Sequence, residues 1–85
     1  MNMETIIVEI YIPAISQVFD FRIPASGRVY DIIEEIIRIL EITQQNLVFD
    51  KDVPMLCDLE RGTIIDPSKH IAEIGLHDSS RLILV

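Results

Sequence analysis

The sequence predicts an α+β domain: a mixed sheet of four to five strands with one main helix packed on one face. Three observations carry this. Between Val29 and Ile42, apolar residues fall at Val29, Ile32, Ile33, Ile36, Ile37 and Leu40. That is the i, i+3, i+4, i+7 recurrence of a helix with one buried stripe. The segments on both sides alternate with a period of two, as strands do. The last of them, Leu82-Ile83-Leu84-Val85, is apolar on both faces, which suits a central place in a sheet.

Taken in order, Thr5 to Ile12 alternates Ile6, Val8, Ile10 and Ile12 with Ile7, Glu9 and Tyr11, and β-branched residues dominate. Both faces are fairly apolar, so an inner strand is expected. Pro13 stops it, and Pro13 to Ser16 suits a hairpin connection. Gln17 to Ile23 is the second strand, with Phe19, Phe21 and Ile23 on one side and Asp20 and Arg22 on the other. Its phenylalanine side is expected to meet the helix stripe. Pro24 ends it, and Ser26-Gly27 supplies turn and cap chemistry.

The helix carries Asp31, Glu34, Glu35, Arg38 and Glu41 on its outer side, with Glu34 and Arg38 in the favourable i, i+4 order. Thr43-Gln44-Gln45-Asn46 marks its exit. Leu47 to Pro54 fits either a short strand or a loop that plugs the core. Met55 to Leu59 is a strand, Glu60-Arg61-Gly62 a tight turn with glycine at positive φ, and Thr63 to Asp66 a short returning strand. Pro67 to Glu73 holds a helical turn started by Pro67 and Ser68. Arg81 to Val85 ends the chain beside the first strand and parallel to it. The order β-β-α-β-β-(short helix)-β is the β-grasp arrangement, the ubiquitin-like roll.

Eighty-five residues, 49% of them hydrophobic, are expected to form one domain with one core over residues 1–85. The net charge is -7, and the 7 basic residues are spread along the chain. Counterion release from a phosphate backbone needs clustered Lys and Arg, so nucleic acid is not an expected partner. An anionic membrane surface repels the chain for the same reason. One cysteine, Cys57, excludes an internal disulfide and provides no pair for zinc. Neither a signal peptide nor an apolar run near the roughly 18 residues of a membrane helix is visible, so a cytoplasmic protein is expected.

The ending Ile71-Ala72-Glu73-Ile74-Gly75-Leu76-His77-Asp78-Ser79-Ser80-Arg81-Leu82-Ile83-Leu84 resembles a recurring ubiquitin-like ending. With Val18-Phe19-Asp20-Phe21-Arg22-Ile23-Pro24, the Ile-rich helix and the Gly62 hairpin, the chain looks like the small YukD/EsaB-type ubiquitin-like proteins of type VII (WXG100) secretion loci in Gram-positive bacteria. The resemblance covers nearly the whole chain. It implies a cytoplasmic accessory that binds protein, with no catalytic residue to transfer and no cofactor. The sequence stops at Val85 without a Gly-Gly tail, so neither conjugation nor a sulfur-carrier role is expected. The alternatives are a tail-less β-grasp carrier or enzyme-associated subunit, and a ubiquitin-like domain normally fused to a larger membrane protein.

No motif for chemistry stands against this. His70 and His77 lack a third metal ligand and read as exposed polar residues. Cys57, in a strand with Met55 and Leu59, reads as a small buried apolar residue. Asp50, Asp52, Asp58 and Glu60 read as a solvated acidic face, since Pro54 breaks the calcium-loop pattern. Glu34 and Glu35 are adjacent and do not face each other. Gly27, Gly62 and Gly75 are isolated and form no phosphate loop. Surface remains. The side of the sheet away from the helix is expected to show Ile7, Glu9, Tyr11, Ile83 and Val85, joined by Leu56 and by Ile15. Ile7, Tyr11, Ile15, Leu56, Ile83 and Val85 are the candidate protein-binding residues.

Overall fold

The computed structural model describes residues 4–44, 47, 49 and 54–85. Strand β1 (Thr5–Ile12) turns through a 3₁₀ segment (Pro13–Ile15) into β2 (Gln17–Pro24). Ser16 takes a left-handed conformation, φ 52°, and its N–H closes the turn on the Pro13 carbonyl at 3.2 Å. Helix α1 (Val29–Thr43) crosses the sheet, followed by β3 (Leu56–Asp58), β4 (Thr63–Ile64), a second 3₁₀ turn (Ile71–Glu73) and β5 (Arg81–Leu84). The sheet order is β2-β1-β5-β3-β4, with β5 parallel to β1 and the other pairings antiparallel. This is the expected topology. Most of the Leu47 to Pro54 stretch lies outside the described residues; within it, Leu47 is buried and Phe49 packs against the core.

The core lies between α1 and one face of the sheet. Val29, Ile32, Ile33, Ile36 and Leu40 point down from the helix, and Val8, Ile10, Ile12, Ile23, Leu56, Leu82 and Leu84 point up from the strands. Ile37, Phe19 and Phe21 pack against this cluster, as the stripe and the alternation required. In β1 and β5 the period-two pattern fixes the faces, because a slip of one residue would expose every core side chain.

Four local expectations are corrected. Ser26 does not cap the helix: the N-cap is Arg28, with no side-chain cap bond. The orphan N–H groups of Val29 and Tyr30 donate instead to the carbonyls of Lys69 (2.8 Å) and Pro67 (2.9 Å), so a distant loop supplies the cap. Arg38 pairs with Glu35 one turn away, not with Glu34. The second short helix starts at Ile71, not at Pro67, with His70 as its N-cap. Asp58 is not part of a solvated acidic face but is buried, at 5% exposure.

Glu73 closes a capping box on that turn: its Oε1 accepts the His70 N–H at 3.0 Å and lies 3.1 Å from His70 Nδ1. The His70 backbone N–H, then the His70 side chain, holds the Glu73 carboxyl below the usual carboxylate range. A depressed folded-state pKa contributes stability above the ordinary carboxylate value and loses it as pH falls through the lower, folded value. Thermal melts should therefore show wild type more stable than Glu73→Gln at neutral pH, with the difference closing as the solution is acidified below about pH 4.

Candidate functional site

The face of the sheet opposite α1 is the candidate site. Register brings one residue from every strand into a single row. Val18 stands opposite Tyr11, Tyr11 beside Ile83, Ile83 opposite Cys57 and Cys57 opposite Ile64. Partners directly opposite share a face, so Val18, Tyr11, Ile83, Cys57 and Ile64 form an apolar stripe across all five strands. Its ends are open, Val18 at 58% and Ile64 at 63% exposure, while Tyr11, Ile83 and Cys57 in the middle are half-buried by their neighbours.

On one side of the stripe Met55 and Val85 exchange backbone bonds at 2.7 and 2.9 Å and leave their side chains exposed. On the other side the row Asp20, Glu9, Arg81 is charged, and Leu59 extends it through a bond from its N–H to the Arg81 carbonyl at 3.0 Å. Glu9, Tyr11, Val18, Leu59, Arg81 and Leu82 line an open depression of about 310 Å³. Its floor is apolar and its rim carries one acid and one base. Such a surface offers contact area and orienting charge.

The expected residues divide. Ile7, Tyr11, Ile83 and Val85 are on this face, as the alternation implied. Leu56 is not: it is 1% exposed and turned into the core. β3 pairs Leu56 with Leu84 and Asp58 with Leu82, whose side chains face the helix, so Cys57 takes the outward position expected of Leu56. Cys57 is accordingly half-buried on the open face and not a core residue. Ile15 packs against the edge of the core from the hairpin turn and does not extend the stripe. Val18, Cys57, Ile64, Met55 and Leu59 were missed. Val18 shares the side of Asp20 and Arg22 by the same period of two, so its signal was present in the sequence.

A second concavity of about 250 Å³ lies between the β3–β4 hairpin and the second 3₁₀ turn, lined by Asp58, Arg61, Asp66, Lys69 and Glu73 among others. Its polar groups are largely committed to the fold. Asp58 Oδ1 accepts from the N–H groups of Glu60 (3.0 Å) and Arg61 (3.3 Å), and Arg61 donates to the Ile74 and Gly75 carbonyls. Asp66 accepts from the Ser68 N–H and hydroxyl, which hold its carboxyl below the usual range. His70 and His77 are exposed, His77 with Nδ1 2.7 Å from the Asp78 carbonyl. Among the described residues no group of three His, Cys, Asp or Glu side chains is arranged to hold a metal ion.

No protein-family model and no curated protein matches the sequence. Solved structures are similar in shape. The EccD5 ubiquitin-like domain from Mycobacterium xenopi superposes with a TM-score of 0.80 at 18% identity, over 96% of this chain and 93% of that one. The ubiquitin-like domain of the Mycobacterium tuberculosis type VII secretion protein EccD1 gives 0.77 at 20%, over 98% and 99%. The fold is the ubiquitin-like β-grasp. A chain of the MycP5-free ESX-5 inner membrane complex contains a similar unit, with a TM-score of 0.77 at 11% identity, over 95% of this ubiquitin-like chain but 20% of that one. Among the described residues no helix of this chain is long and apolar enough to cross a membrane.

Proposed function

We propose that this chain is a non-catalytic ubiquitin-like protein-interaction module that docks a protein partner on the open face of its sheet. Residues 1–85 act as one domain, without a cofactor, as a cytoplasmic accessory of a type VII-like secretion system. The stripe from Val18 to Ile64 carries the docking reading, because it places an unbroken apolar surface across the whole sheet where only scattered apolar residues are ordinary. The likeness to EccD ubiquitin-like domains supports the secretion reading, as does the sequence resemblance to YukD/EsaB-type proteins.

One observation favours a second reading, that the domain is normally fused to a larger membrane protein. The similar unit in the ESX-5 complex is a fifth of its chain. The length of the native reading frame separates the two, and either version docks by the same face.

The test is Ile83→Asp. Ile83 is at the centre of the stripe and outside the core cluster, so the variant should keep the wild-type circular dichroism spectrum and melt cooperatively. A charge buried without a partner at an interface centre should weaken binding to the cytoplasmic parts of the host's own type VII membrane complex by at least about 30-fold. Wild-type affinity in the folded variant places the interface elsewhere.

A further inference from the structure

The two edges of the sheet differ. β4 is two residues long, whereas β2 runs for eight, Gln17–Pro24, and among the described residues nothing pairs with its outer side. Long free edges invite strand pairing and are usually blunted by lysine, proline or an inward charge. The β2 edge has no lysine and its only proline, Pro24, is its last residue; its charges are one acid and one base, Asp20 and Arg22, which a partner carrying the same pair can neutralise.

The main chain shows which groups the edge offers. Ile7, Glu9 and their neighbours in the same phase turn toward β5: the Glu9 N–H donates to the Ser80 carbonyl at 2.9 Å and the Ser79 N–H to the Ile7 carbonyl at 2.8 Å. The other phase bonds β2, as the Ala25 N–H does to the Glu4 carbonyl at 3.0 Å. With the β1–β2 register, Phe19, Phe21 and Ile23 therefore spend their backbone groups on β1. Val18, Asp20 and Arg22 point theirs out to the free edge.

We infer that this edge pairs with the same edge of a second copy of the chain, antiparallel about Phe21. The sequence Phe19-Asp20-Phe21-Arg22-Ile23 is self-complementary in that register, and Val18 meets Pro24, which lacks an N–H, so the ladder ends there with a single bond. Asp20 of one copy meets Arg22 of the other, twice, and these are the residues whose N–H and C=O face outward, so each pair exchanges both backbone bonds. On the helix side Phe21 meets Phe21 and Phe19 meets Ile23. Beside them runs a groove of about 70 Å³ between β2 and α1, lined by apolar residues such as Phe21, Ile32, Ile36 and Ile39 and by the charged Arg22 and Glu35.

The charges favour the second copy over an unrelated strand. Within one copy Asp20 stands opposite Glu9, a like-charge pair with Arg81 flanking only the Glu9 side. Arg22 of the second copy flanks Asp20, so the row becomes basic, acidic, acidic, basic. A net charge of -7 on each copy opposes association, so the dimer is weak and strengthens with moderate salt until the ion pairs themselves are screened. The two sheets become one, and both open faces lie on the same side. The pairing is independent of the docking proposed above.

Sedimentation velocity from about 10 μM to 1 mM tests this, a range set by the small area of an edge contact. Wild type should be a reversible dimer in that range. Arg22→Asp and Asp20→Arg, both at exposed positions, should each keep the wild-type circular dichroism spectrum and dimerise at least about tenfold more weakly. The double variant Asp20→Arg/Arg22→Asp should recover the dimer, and the two single variants mixed should form a heterodimer. A wild type monomeric throughout, or a dimer indifferent to these charges, overturns the inference. So does capture of an unrelated strand by an edge that never pairs with itself.

Discussion

Leu56→Ala should lower the melting temperature by at least about 10 °C. Leu56 is 1% exposed and packs in the single core cluster formed by the helix stripe, β1, β3 and β5. Truncating a buried leucine removes its transfer free energy and leaves a cavity, at a cost of about 2–5 kcal/mol. A domain of this length holds on the order of 5–10 kcal/mol in all, so the loss is a large share of its stability. The same substitution at Cys57, the next residue, should change stability by less than about 1 kcal/mol, since its side chain is half-buried on the other face. A differential scan of both variants checks the register of β3 directly. Equal effects would mean that the two faces of β3 are not distinguished.

Asp58→Ala should be the most damaging change at a charged residue. The Asp58 side chain is buried and organises the β3–β4 turn by accepting the N–H groups of Glu60 and Arg61, with Arg61 Nε 3.8 Å from its other oxygen. Alanine leaves two backbone donors without that acceptor, a cost of about 1–3 kcal/mol, seen as a loss of roughly 5–15 °C in melting temperature. Asp58→Asn keeps an acceptor oxygen and should lose less than half as much. The turn then tightens on Gly62, φ 67°, whose N–H donates to the Asp58 carbonyl at 2.8 Å. If alanine and asparagine are equally mild, the buried acceptor is not what holds the hairpin.

The helix and the first, second and last strands were legible because each carries a long periodic pattern. Val29 to Leu40 repeats the helical spacing, and Thr5 to Ile12 and Arg81 to Val85 have one face that is apolar throughout. β3 was not legible in the same way. Met55-Leu56-Cys57-Asp58-Leu59 is apolar on both phases, and Asp58 in the buried phase is the opposite of what polarity suggests. The acid belongs there because its partners are backbone N–H groups of the following turn, which no side-chain pattern displays. The same holds for the helix cap, which comes from carbonyls of Pro67 and Lys69 nearly forty residues away in sequence. Most of the candidate face followed from alternation alone. Its continuity did not, because it depends on which strand lies beside which, and Val18 and Ile64 join the stripe only once the order β2-β1-β5-β3-β4 is known.

The helix is thus the support that decides which face of the sheet is left open, and the open face is the proposed docking surface. Backbone amide chemical shifts recorded during a titration with the cytoplasmic parts of the host's type VII membrane complex test this most directly. The largest changes should fall on Tyr11, Val18, Cys57, Ile64 and Ile83, with the outer helix residues Asp31, Glu34, Arg38 and Glu41 unmoved. Changes concentrated on those helix residues, with the stripe silent, would contradict it.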